Sequence, residues 1–322
     1  MVYLGLDIGY SNLKLVCGEN DEAPSQQLHP AGAAPLDRLP EGIVQSGQTV
    51  QVLVDGTVYA ALVEPARLQH WSRALHADYP TTAAYRALYR AALLRMGKDS
   101  VDVLITGLPV AQYQENGRRT ALQQALQGVH RVTTQRTVTV SRVRVVPQPV
   151  GAYLDLAWRY ESSVLGQARV LVLDPGFFSF DWVVVVNGEL RQHASGTSQQ
   201  ATSALLEEAD RLIQQDRGGR VGRERLEQAL RGGETQVVLY GRYLALAPYL
   251  AQAADRTVEV ALTALRDALR HEAEADIVLL AGGGARFFEA PTRALFPRSD
   301  IVIPPEPVFA NARGFWRYAQ AM

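Results

Sequence analysis

The chain has 322 residues, which at ~150 residues per domain is the length of two domains with a core each. Hydrophobic residues make up 47% and charged residues 20%, which excludes a disordered, collagen-like or coiled-coil chain. With 32 basic and 33 acidic residues, a net charge of -1 and a single cysteine, Cys17, the composition argues against direct gripping of nucleic acid and excludes a disulfide framework or a cysteine-rich zinc site.

The opening residues Val2 to Leu6 are apolar and end at Asp7-Ile8-Gly9; a polar turn, Tyr10-Ser11-Asn12, leads into the alternating segment Leu13 to Cys17. This predicts a β-hairpin. Asp21 to Gly47, rich in Pro, Gly, Ala and Gln, predicts an irregular excursion or small exposed subdomain, and Val50 to Tyr59 a second hairpin around Asp55-Gly56. Thr81 to Met96 has helical spacing and is stopped by Gly97; Val101 to Thr106 reads as a strand, Thr120 to Leu126 as a helix. Val129 to Val146, rich in Val and Thr, alternates in the manner of strands until Pro147-Gln148-Pro149 breaks the pattern, and a helix is predicted from Val150 to Tyr160.

The second half restarts the first. Val170 to Leu173 ends at Asp174-Pro175-Gly176, and Phe180 to Val186 follows, closed by the turn Asn187-Gly188. Helices are predicted at Thr197–Gln215, Arg223–Leu230 and Leu244–His271, a buried strand at Ile277–Leu280 before Gly282-Gly283-Gly284 and a further helix, a short strand at Ile301–Ile303, and a last helix at Ala310–Ala319. No apolar run reaches the ~18 residues of a membrane span; the candidate Val237–Ala254 holds Arg242 and Pro248. The start lacks a basic segment ahead of an apolar run, so a cytoplasmic location is expected.

The informative device is the repeated Asp-x-Gly hairpin, at Asp7 and Gly9 and again at Asp174 and Gly176. Glycine lets backbone N–H groups close on an anion, and each aspartate stands where it can hold a hydrated Mg²⁺ beside phosphate. One hairpin per domain suits a triphosphate clamped by both. Lys14, one of only two lysines with Lys98, lies on the strand leaving the first turn, within reach of a phosphate as a point charge. Ser11 and Asn12 add side-chain hydrogen-bonding groups and are also ordinary turn residues. Gly282-Gly283-Gly284, between a strand and a helix, suits a flat ring or a phosphate against backbone, but it is neither a Gly-Lys-Ser/Thr phosphate loop nor a Gly-x-Gly-x-x-Gly fingerprint. Gln148 is no base at neutral pH, yet it can orient a water with one donor and one acceptor. The six histidines, His29, His70, His76, His130, His193 and His271, show no metal-ligand spacing, and no Gly-x-Ser-x-Gly elbow occurs.

Together these motifs resemble the actin/Hsp70/sugar-kinase ATPase superfamily: Asp7-Ile-Gly9-Tyr-Ser-Asn-Leu-Lys14 is similar to its first phosphate loop, and Asp174-Pro-Gly176-Phe-Phe-Ser179-Phe-Asp181 to its second. Pro-Gln148-Pro-Val-Gly-Ala resembles the first interdomain connection, Leu280-Ala-Gly282-Gly283-Gly284-Ala the adenosine loop, and Asn311-Ala-Arg-Gly314-Phe the second connection. The five motifs stand in the family's order, and the length and the Asp-x-Gly-x-x-Asn-x-Lys opening look most like the ParM/StbA plasmid-segregation branch. The resemblance implies an α/β, two-lobed actin-like fold. Residues 1–150 with the helix 310–322 would form one lobe and 151–309 the other, each on a ribonuclease-H-like mixed sheet with flanking helices. It also implies Mg-dependent hydrolysis of ATP (or GTP) coupled to filaments, and a DNA-binding adaptor that joins them to a centromere, with no membrane and no direct nucleic-acid contact.

Carried over residue by residue, the resemblance makes Asp7 and Asp174 holders of Mg²⁺ through water and Gln148 the residue that aims the attacking water. It assigns the phosphates to Gly9, Tyr10, Ser11, Asn12, Lys14, Gly176, Phe177 and Ser179, and adenosine to Gly282, Gly283 and Gly284. The second loop departs from the family, which carries small residues and Thr where Phe177, Phe178 and Ser179 stand here. Two other readings stay open: a small-molecule kinase of the same fold with Asp174 or Asp181 as its catalytic aspartate, and a nucleotide-sensing scaffold without turnover.

Overall fold

In β1 (Val2–Ile8) every residue after Val2 is buried, on both faces. A strand buried on both sides belongs inside a sheet with cover above and below. The computed structural model describes residues 1–20, 23–40, 49–70, 73, 76–269 and 274–322 and places β1 inside a six-stranded sheet. The chain divides into two units, Met1–Glu161 with Val308–Met322, and Ser162–Pro307.

In the first unit β1 turns back as β2 (Asn12–Glu19), followed by β3 (Ser25–Pro30), β4 (Gly32–Pro35), β5 (Val50–Val54) and β6 (Thr57–Val63). Helix α1 (Ala83–Met96), β7 (Ser100–Leu108), α2 (Val110–Gln114), α3 (Arg118–Leu126), β8 (Gly128–Arg131), β9 (Thr137–Pro147) and α4 (Gln148–Ala157) complete the stretch. The main sheet runs β3-β2-β1-β7-β9-β8, with β1, β7 and β9 parallel and the flanking pairings antiparallel; β4, β6 and β5 form a separate three-stranded sheet. Helix α1 starts at Thr82, whose hydroxyl accepts from the Tyr85 N–H, and ends at Gly97 in the left-handed conformation.

The second unit repeats the plan. It begins with α5 (Ser162–Leu165), β10 (Arg169–Pro175), β11 (Phe180–Val186), β12 (Glu189–Leu190) and β13 (Gly196–Ser198). It goes on with α6 (Thr202–Arg217), α7 (Arg223–Arg231), β14 (Gln236–Leu239), β15 (Arg242–Ala245), α8 (Ala247–Leu269), β16 (Ile277–Leu280), α9 (Ala285–Leu295) and β17 (Asp300–Val302). Its sheet is β12-β11-β10-β16-β17, with β10 antiparallel to β11 and parallel to β16. The correspondence reaches single atoms. The Val2 N–H donates to Asp102 Oδ2 at 2.7 Å, and the Arg169 N–H, at the start of β10, donates to Asp276 Oδ2 at 2.7 Å. The core of this unit packs Leu171, Phe180, Trp182, Leu265 and Phe288 against one another.

The chain then returns to the first unit as α10 (Ala310–Gln320), which covers the β1–β7 side of the sheet through Phe315 and Ala319. Its backbone lies close to two glycines. A Cβ at Gly5 would stand 2.1 Å from the Ala312 carbonyl oxygen, and one at Gly314 would stand 1.7 Å from that of Gly151 on α4. Across the same crossing Arg313 donates through Nε and Nη2 to Asp155 Oδ2, at 3.1 and 3.0 Å.

Several elements differ from the expectation. Within Asp21 to Gly47 the described part forms β3 and β4, because strand pairing needs backbone groups and not β-favouring side chains; residues 21–22 and 41–48 lie outside the described residues. Val129 to Val146 is, as its alternation leads one to expect, strand structure; it forms the antiparallel pair β8 and β9, with Thr133 to Arg136 making a turn closed by backbone bonds from the Val132 and Thr133 N–H groups to the Arg136 carbonyl. The predicted helix at 150–160 begins two residues earlier, with Gln148 in its first turn and Pro149 tolerated there. The one predicted at 197–215 begins at Thr202, after β13. The one predicted at 244–271 begins at Ala247; Leu244 and Ala245 instead end β15 of the β14–β15 hairpin, turned by Tyr240 and Gly241 with positive φ, and residues 270–273, His271 included, lie outside the described residues. No helix among the described residues is long and apolar enough to cross a membrane.

Candidate functional site

In the first unit the β1–β2 register places Asp7 opposite Lys14. The turn between them is closed by the Gly9 N–H donating to the Asn12 carbonyl at 3.0 Å. Lys14 Nζ donates to Asp7 Oδ2 at 3.0 Å, and Gln148 Nε2 donates to Asp7 Oδ1 at 2.9 Å, so both oxygens of this buried carboxylate are engaged. Because a carboxylate only accepts, Gln148 must turn its amino group to Asp7 and keeps its carbonyl for another donor. The lysine ammonium crosses Gly9, where a Cβ would come within 3.2 Å of Nζ. Gly107, at the end of β7, is a glycine for a similar reason, since a Cβ there would meet Gln148 Cγ at 2.7 Å.

Tyr10 is buried, stacks on Tyr79 with centroids 4.7 Å apart, and donates its hydroxyl hydrogen to the His76 carbonyl at 3.1 Å. Tyr79 in turn meets Tyr85 edge-on at 5.4 Å. Burial raises the Tyr79 and Tyr85 phenols far above their ordinary range, and the Asp7 carboxylate adds to the shift at Tyr85, so both remain protonated. Ser11 is buried and its carbonyl accepts from the Ala31 N–H at 2.8 Å.

The second unit carries the equivalent turn, closed by the Gly176 N–H donating to the Ser179 carbonyl at 2.9 Å, with Asp174 opposite Asp181. Asp181 is buried and accepts from Ser179 Oγ and Thr197 Oγ1, each at 2.5 Å. The Ser179 hydroxyl is therefore committed to Asp181, and its backbone is what this residue can offer an anion. The Phe177 ring packs on a core of Leu205, Leu206 and Leu226, while the Ser203 N–H donates to the Phe177 carbonyl at 2.7 Å, which anchors the loop to the start of α6.

The triple glycine folds onto this hairpin. The Gly284 N–H donates to the Pro175 carbonyl at 2.9 Å. A Cβ at Gly282, whose φ is +78°, would stand 2.2 Å from Asp174 Oδ1, and one at Gly284 would stand 2.8 Å from the Pro175 carbonyl oxygen. Two of the three glycines are thus needed for contact with Asp174 and Pro175, and Gly283 is the exposed one. Asp7, Gly9, Lys14 and Gln148 come together in one unit; Asp174, Gly176, Ser179 and Gly282–Gly284 come together in the other. Sequence reasoning passed over Gly107, Gln112 and Tyr79, which carry no motif and matter only through what folding sets beside them. Among the described residues no group of three His, Cys, Asp or Glu side chains stands close enough to hold a metal ion directly.

Two mixed sheets, each presenting an Asp-x-Gly turn from its central hairpin, define the actin-type fold. Residues 5–151 match the family described as actin like proteins, N terminal domain, and residues 172–291 match archaeal actin homologue MreB-like, C-terminal; the chain belongs to the actin-like proteins. It is similar in structure to the archaeal actin homologue Ta0583, with a TM-score of 0.78 at 20% identity over 100% of both chains, and that protein has also been solved in complex with ADP. It is similar as well to a non-polymerisable quadruple mutant of pCBH ParM (TM-score 0.78, 18% identity, 100% of this chain and 99% of that one). The subunit of a 15-stranded ParM filament from Clostridium botulinum gives a TM-score of 0.76 at 17% identity, over 100% of this chain and 99% of that one. No curated protein matches the chain in sequence.

Proposed function

We propose that the chain binds and hydrolyses ATP with Mg²⁺ and polymerises into filaments that move plasmid DNA through a separate basic adaptor. The observation that carries this reading is the pairing of Gln148 Nε2 with Asp7 Oδ1 at 2.9 Å beside the turn at Gly9. It leaves the Gln148 carbonyl as an acceptor that can align a water, while the residue itself is too weak a base to do more. Asp7 in the first unit, and Asp174 in the second, would each offer a carboxylate through water, which suits an ion that keeps most of its hydration shell and not a direct protein cage. Mg²⁺, when bound, neutralises phosphate charge. The N–H groups of each turn, with the Lys14 ammonium in the first, would hold phosphate oxygens, and Gln148 would orient the attacking water, so that catalysis is positioning and charge stabilisation.

The filament reading draws on the ParM structures to which the chain is similar. A head-to-tail contact between unlike surfaces leaves open ends and propagates. The indirect route to DNA follows from the net charge of -1, which gives little counterion release. Steady-state phosphate release with Mg-ATP tests the activity, and electron microscopy with ATP, with ADP and without nucleotide tests the assembly. A protein that releases no phosphate and stays monomeric with ATP contradicts the reading.

A further inference from the structure

Beside the first hairpin a second glutamine has its orientation fixed by its neighbours. Gln112 lies on α2 and is 7% exposed. The Tyr10 hydroxyl gives its single hydrogen to the His76 carbonyl, so toward Gln112 it can only accept, and it does so from Nε2 at 3.2 Å. That turns Gln112 Oε1 the other way, where it is buried and has no hydrogen-bond partner among the described residues. Buried amide oxygens are seldom left so. Gln112 also lines a cavity of about 10 Å³, together with Gln148, Tyr10, Tyr85, Gly107 and Pro109. That is room for about one water.

A water has two hydrogens to give, and the Gln112 and Gln148 side chains on this cavity each have one amide carbonyl with no hydrogen-bond partner among the described residues. We propose that Gln112 is a positioning residue that holds one water in this cavity, and that this water donates its second hydrogen to the Gln148 carbonyl. Gln148 is then gripped at both ends, by Asp7 at its amino group and by the held water at its oxygen. The carbonyl's remaining lone pair is fixed in direction for the attacking water. This inference rests on the assignment of Gln148 as the residue that aligns that water.

Gln112→Met keeps the length of the side chain and removes both polar atoms. It is expected to lower kcat for ATP hydrolysis about three- to tenfold, the worth of one hydrogen bond, with KM changed less than about twofold. Because Gln112 acts through Gln148, adding Gln112→Met to Gln148→Ala should cost nothing further, whereas a merely structural role slows both backgrounds alike. A parent-like kcat in Gln112→Met, or an equal loss in both backgrounds, overturns the inference. Should Gln112→Met not fold, a crystal structure of the parent at about 1.5 Å decides: a water within hydrogen-bond reach of Gln112 Oε1 and Gln148 supports it, and an empty or dry cavity overturns it. Failure of the underlying reading looks different. A parent that hydrolyses no ATP, or a Gln148→Ala protein at the parent rate, removes the role of Gln148 before Gln112 is in question, and the inference falls with it.

Discussion

Asp181 occupies in the second hairpin the place that Lys14 occupies in the first: Lys14 is the cross-strand partner of Asp7, and Asp181 that of Asp174. One fold thus sets a cation beside one aspartate and a second carboxylate beside the other. Asp181 is kept there by the hydroxyls of Ser179 and Thr197. Lys14→Ala should therefore hurt the first hairpin alone. It leaves Asp7 buried with Gln148 as its remaining described partner, and should cost about 1–3 kcal/mol in urea unfolding without nucleotide. It should also weaken Mg-ATP binding in calorimetry.

Gln148→Ala should slow phosphate release about a hundredfold, with Mg-ATP affinity within a few-fold of the parent, since a water-aligning group acts mainly in the transition state. Its filaments should outlive parent filaments after ATP is exhausted, which light scattering reads directly. Unchanged hydrolysis would remove Gln148 from the mechanism and leave the fold untouched.

Gly282→Ala should damage the second site through Asp174. The methyl group would sit 2.2 Å from Asp174 Oδ1 on a backbone with φ of +78°, so the carboxylate or the turn must move. A loss of about 1–3 kcal/mol in thermal or urea unfolding is expected, together with weaker Mg-ATP binding. Gly283→Ala, at an exposed glycine of the same turn, is the comparison, and a result in which the two behave alike would argue against the contact with Asp174 as the cause.

Stability should fall on the acid side through His130. Its ring is buried, stands edge-on to Tyr89 at 5.0 Å, and has Nε2 2.9 Å from the Leu126 carbonyl. Burial lowers its pKa below the usual 6.5, against a smaller opposing effect of the bond to Leu126. The unfolded chain then takes up a proton before the folded one does. Above 6.5 the histidine is neutral in both states and contributes nothing; as pH drops below 6.5, stability is lost until the folded pKa is passed. The slope cannot exceed about 1.4 kcal/mol per pH unit for one group. Urea titrations of the parent and His130→Gln between pH 7 and 5 (about the range that matters) should show a shallower decline in the variant.

Local chemistry explains which parts of this structure can be read from sequence. Asp7 and Gly9, and again Asp174 and Gly176, announce their turns because the turn itself demands those residues. What depends on distant neighbours is silent. Gly151 and Gly314 look like helix-weakening residues until α4 and α10 are seen to cross at them, and Asp155 meets Arg313 across 158 positions of chain. Gln112 gains its significance only from Tyr10, 102 positions away. The β14–β15 hairpin is hidden by composition: Leu244 and Ala245 read as the start of a helix, Val237, Val238 and Leu239 only as part of an apolar stretch, and the turn between them uses Tyr240, a residue with no preference for positive φ, ahead of Gly241. Strand β3, with Gln26, Gln27 and Pro30, reads as a loop because its pairing with β2 rests mainly on backbone groups, with Ser25 Oγ donating to the Cys17 carbonyl as a side-chain addition.

The return of α10 to the first unit sets the order in which the molecule can be completed as it leaves the ribosome. Residues 162–307 are one unbroken stretch that has all of its own strands once Pro307 has emerged. The first unit, although its strands are made first, waits for Val308–Met322, because β1 at Gly5 is shaped to receive the backbone of Ala312. Domains usually mature from the N-terminus onward. Here the N-terminal unit cannot close before α10, which follows all of the second unit in the chain, and until that helix docks it exposes the apolar strip of Tyr3, Val103 and Ile105 that Phe315 covers in the finished protein.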